Sequence, residues 1–105
     1  MTATLTAFLR SRYTEELEKA RYASGVVVQD PARFGVAPQD AAAHARFTVA
    51  TAEVHLALLE DTVVPNLGAE GAAGQTAEYQ LRLLAAPYVE HRDYPHDTDQ
   101  PGSRA

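Results

Sequence analysis

The sequence predicts a mainly α-helical protein. Three helices are expected at about residues 4–23, 38–64 and 76–86, with a small β-ribbon at about 26–36 and a flexible C-terminal tail. Two observations carry this. Apolar residues recur at spacings of three and four through all three segments, the signature of one side of a helix. Prolines and glycines fall at the margins of those segments, where helices start and stop. Residues 1–94 are expected to form a single domain, with 95–105 as the tail, where Pro95, Asp97, Asp99, Pro101 and Gly102 offer nothing to bury.

The first helix follows from Leu5, Phe8, Leu9, Tyr13, Leu17 and Ala20, which lie along one stripe. Ser24-Gly25 is a plausible stop. Val26-Val27-Val28 is a β-branched run that favours a short strand, Asp30-Pro31 a turn, and Phe34-Gly35-Val36 the returning strand.

The second helix carries the most information. Pro38 sits near its start, where a missing N–H costs nothing, and Pro65 ends it. At 1.5 Å per residue it would be about 38 Å long. Advancing 100° per residue sets Ala43, Phe47, Ala50, Val54 and Leu58 on one edge and Val49, Ala52, Leu56, Leu59 and Val63 on the opposite edge. Arg46, Glu53 and Glu60 form one polar seam between them, and Thr48, His55 and Thr62 the other. Both apolar edges call for cover. The third helix, with Ala77, Leu81 and Leu84 inward, would be only about 16 Å long and cannot supply it all. A homodimer is therefore expected, with Val49, Leu56, Leu59 and Val63 at a twofold interface.

Composition bounds the function. A net charge of −5 and a single lysine, Lys19, argue against a nucleic-acid or anionic-membrane binder. The absence of cysteine removes disulfides, thiolate metal sites and a cysteine nucleophile. Met1-Thr2-Ala3-Thr4 is not followed by the charged-then-apolar pattern of a secretion signal, and no run approaches the roughly 20 apolar residues of a membrane span, so a cytoplasmic location is expected.

The best chemical candidate is His91-x-Asp93-x-x-His96. Two imidazoles and a carboxylate are sound ligands for zinc or another divalent ion, with His44 or His55 as a fourth. The competing reading has His91 and Asp93 hydrogen-bonding to lock the chain after Pro87, while Tyr88 and Tyr94 pack back onto the helices. Glu53 and Glu60 lie two turns apart, about 10 Å, too far for a coupled acid–base pair. With Arg46 they read better as a solvated, charge-patterned edge, with a salt bridge to the first helix through Arg10, Arg12 or Arg21 left open. No nucleophile elbow, phosphate-binding loop or zinc-protease motif is present.

The stretch from Leu81 to Tyr94, Leu-Arg-Leu-Leu-Ala-Ala-Pro-Tyr-Val-Glu-His-Arg-Asp-Tyr, resembles the C-terminal hallmark of an actinobacterial and actinophage family, domain of unknown function 6221. The start, Phe8-Leu9-Arg10-Ser11-Arg12 with Glu15 and Glu16, is similar to that family's opening helix. The resemblance implies a fold and an origin and no reaction. Many relatives place cysteines before the Leu-Arg-Leu-Leu helix, implying a zinc site, but residues 72–78 here contain none. The expected function is that of a small, non-enzymatic interaction or accessory protein of a phage or other mobile element. It would present a helical surface, carry no cofactor, and bind a second copy, a host protein or a phage protein. The alternatives are a zinc-type metal module using His91, Asp93 and His96, and a small enzyme of unspecified class.

Overall fold

The computed structural model describes residues 2–96. Three α-helices dominate: α1, Thr2–Gln29; α2, Ala41–Ala57; and α3, Ala72–Ala85. A π-helical segment, Leu58–Val63, continues α2 and is followed by the 3₁₀ turn Val64–Asn66. Further 3₁₀ turns cover Pro31–Phe34, Pro38–Asp40 and Ala86–Tyr88. There is no strand among the described residues, and no helix is long and apolar enough to cross a membrane. The tail expected from Pro95 lies, from residue 97 on, outside the described residues; Pro95 itself is buried.

The expected β-ribbon at 26–36 is replaced by helix. Val27 falls seven residues after Ala20, which returns it to the same stripe, and it is 4% exposed. Between them Ser24 donates its hydroxyl hydrogen bond to the Ala45 carbonyl at 3.2 Å. Gly25 points into open space, so α1 passes through it at only the usual glycine cost of about 1 kcal/mol. Burial of Val27 thus outweighs both the glycine and the strand preference of the valine run. Phe34, the expected return strand, lies in the 3₁₀ turn, which Gly35 closes with φ of 69°.

The chain forms two compact units, Arg12–Ala57 and Met1–Ser11 with Leu58–Ala105. In the first, α1 and α2 pack through Leu17, Ala20 and Ala52, with Val49 and Leu56 half-buried against them. Alanines at Ala41, Ala45 and Ala52 keep the buried side of α2 small. In the second, Leu5, Phe8 and Leu9 of α1, Leu59 and Val63 of the π segment, and Ala77, Leu81 and Ala85 of α3 are all buried.

The long helix expected to Val64 therefore changes winding at Leu58. The wider π turn occurs just before Pro65, where the missing N–H already disturbs the helical ladder. The third helix begins a turn earlier than expected. In its first turn a Cβ on Gly74 would lie 1.8 Å from the Ala69 carbonyl oxygen. Only glycine fits that approach.

Candidate interaction face and C-terminal aromatic cluster

The two edges of the second helix have opposite fates. Leu59 and Val63, expected at a dimer interface, are 0% and 2% exposed within the single chain, and Val49 and Leu56 are half-buried by their own α1. The other edge is bare: Phe47 is 71% exposed and Val54 55%, and Ala43, Ala50 and Ala57 are exposed beside them. These five residues repeat at spacings of four, three, four and three, which sets them along one line of α2. Leu58, the next residue of the expected edge, is 42% exposed.

The polar seam is not simply solvated: it meets α1 through ion pairs. Arg10 donates Nε and an Nη hydrogen bond to the two oxygens of Glu60, both at 2.6 Å. This fork lowers the Glu60 carboxyl from its ordinary range, through the Arg10 hydrogen bonds first, and raises the Arg10 guanidinium. In the other unit Arg21 lies 3.6 Å from Glu53, an exposed pair. Arg46 makes no ion pair among the described residues.

Around the candidate metal residues the structure shows packing. Phe8, 8% exposed, is ringed edge-on by Tyr88 at 6.0 Å, His91 at 5.6 Å and Tyr94 at 5.5 Å. The backbone N–H of Asp93 donates to His91 Nδ1 at 3.0 Å, which leaves only Nε2 of that ring for a metal. His96 packs against Tyr94 with ring centroids 4.8 Å apart and the planes tilted, and the Asp93 carboxylate lies 4.0 Å from Arg92. Among the described residues, no three His, Asp or Glu side chains converge as metal ligands. His44 is exposed, and His55 lies against the buried ring of Tyr13 at 5.5 Å.

A cleft of about 470 Å³ opens beside this cluster. Leu5 and Leu81 contribute apolar wall, and Glu78, Arg82, Tyr94 and His96 contribute polar groups. No nucleophile with an adjacent base is found among them, and neither Glu78 nor Arg82 makes an ion pair among the described residues. Sequence reasoning missed this cleft, because its wall joins the start of α1 to α3 and residues 89–96, segments far apart in the chain.

These features define a small, mainly α-helical protein whose Leu81–Tyr94 segment is held by an aromatic cluster and whose second helix leaves one apolar edge uncovered. It belongs to the family of unknown function DUF6221, whose family model matches residues 2–97. No curated protein and no solved structure matches the chain.

Proposed function

We propose that the protein is a small, non-enzymatic interaction protein whose contact surface is the bare edge of α2. The exposure of Phe47, at 71%, is the observation that carries this. A phenylalanine ring left in water forfeits about 2 kcal/mol of burial, and a row of apolar neighbours along one helix line marks an interaction surface more often than a chance exposure. The partner is a second copy of the chain or another protein of the cell or phage that encodes it. An origin in a phage or other mobile element accords with the C-terminal motif, and a cytoplasmic setting accords with the lack of cysteine.

The test compares the wild-type chain with Phe47→Asp. Both are used as bait in extracts of the native host and weighed by light scattering, with circular dichroism to check the fold. The proposal expects the folded variant to lose a partner or a self-association that the wild type shows. The same captured set and the same mass for both proteins would overturn it.

A further inference from the structure

The bare edge of α2 has the form of half an antiparallel helix pair, and we infer that its occupant is a second copy of this chain in one particular register. The inference rests on the reading of that edge as an interaction face.

In heptad terms Phe47 and Val54 occupy a positions, and Ala43, Ala50 and Ala57 occupy d positions. Large residues thus sit at one kind of position and alanine at the other. A parallel pair would stack Phe47 on Phe47 of the partner subunit and alanine on alanine, leaving one layer crowded and the next empty. An antiparallel pair sets a against d. Phe47 then meets Ala50 of the partner subunit, and Val54 meets Ala43 of the partner subunit. Each layer combines one large and one small side chain, the alternation that close helix packing requires.

Charge selects the register. Arg46 and Glu53 occupy the two g positions beside this edge, both exposed. In the antiparallel pair g positions face g positions, so Arg46 lies beside Glu53 of the partner subunit, and twofold symmetry makes the contact twice. Sliding by one heptad in one direction opposes Arg46 to its own copy, and sliding in the other opposes Glu53 to its own copy. Both slides bring like charges together, so a single register remains. Arg46 has no ion pair within the chain's described residues. Among the described residues Glu53 is held by an exposed contact with Arg21 at 3.6 Å, which leaves it able to accept a second cation. The opposite flank carries His44 and Thr51 at e positions, which face one another across the pair in this register.

One helix edge of this length buries less than the roughly 1,000 Å² of a stable interface. The dimer is accordingly a weak one, favoured by raised protein concentration.

The test is sedimentation equilibrium on the full chain of 11.4 kDa across a concentration series at about 0.15 M salt. Arg46→Glu and Glu53→Arg are each compared with wild type, alone and mixed one to one. The wild type should approach twice the monomer mass. Each reversal alone places like charges at both contacts and should weaken the dimer by roughly tenfold. The mixture pairs Glu at 46 and Glu at 53 with Arg at both positions of the other chain, so it should recover the dimer. Both substitutions are at exposed positions, and circular dichroism checks that each variant keeps its helices.

A wild type that stays monomeric throughout the series overturns the second-copy occupant while leaving the interaction face itself to the capture experiment. A dimer that persists in Phe47→Asp overturns the interaction-face reading. A dimer lost in Phe47→Asp but indifferent to both reversals, or not rescued by mixing, overturns the antiparallel register.

Discussion

Arg10 and Glu60, fifty residues apart in sequence, meet through two parallel hydrogen bonds of 2.6 Å, tying α1 to the π segment that follows α2. The pair is partly exposed, at 46% and 34% of the two side chains, so solvent screens it. Its planar fork still fixes where the π segment lies against α1, because only one orientation satisfies both oxygens.

Removing that fork should cost about 0.5–1 kcal/mol at neutral pH. Glu60→Gln is the cleanest change, measured by urea denaturation. The pH dependence follows from the lowered Glu60 carboxyl. A carboxylate whose folded pKa lies below its unfolded value gives its full contribution above the unfolded pKa, about 4.3, and loses it as pH falls through the folded value. The wild type should therefore lose its advantage over Glu60→Gln in acid and keep it from about pH 6 upward. An equal difference at all pH values would show that the charged form contributes nothing.

Gly74→Ala should be the most damaging small change in the chain. Its new Cβ would lie 1.8 Å from the Ala69 carbonyl oxygen, a backbone atom that cannot swing away. We expect a loss of about 3 kcal/mol or more, read as a fall of thermal midpoint or failure to fold. A midpoint within a few degrees of wild type would mean that the approach to Ala69 relaxes freely.

Gly25→Ala should go the other way. Gly25 is within α1, and nothing lies within 4 Å of the added Cβ. A gain of about 0.5–1 kcal/mol is expected in denaturant unfolding. A loss would argue that residues 26–29 are not helical in solution.

Phe8→Ala should release the segment carrying the family motif. Phe8 is the ring on which Tyr88, His91 and Tyr94 converge. Beyond a global cost of about 3 kcal/mol, amide exchange should accelerate selectively at residues 88–94. Uniform acceleration across α3 and the motif alike would show that the cluster has no local role.

Much of the architecture was legible in the sequence because helices announce themselves locally. The stripe of α1, the two edges of α2 and the charged seam through Glu53 and Glu60 follow from residue spacing, whereas the ion pairs that seam makes with Arg10 and Arg21 needed the tertiary structure. Misreadings arose where local preference and burial disagree. The run Val26-Val27-Val28 looks like a strand until Val27 is placed on the stripe that Leu17 and Ala20 already occupy. Gly74 looks like a loop residue because its spacing does not record that the turn just before α3 brings the Ala69 carbonyl against it. The cleft beside Tyr94 could not be read at all, since no local pattern records which distant segments share a wall.

The sequence by itself determined three helices, a chain without thiol chemistry, and a central segment greasy on two opposite edges. Only the tertiary structure decided which edge is core. Periodicity measures angle around a helix axis and is blind to what lies across from it. Leu17 and Ala20 of α1 pack against Ala52, Val49 and Leu56, so that edge is covered, and Phe47 and Val54 on the opposite edge are left exposed.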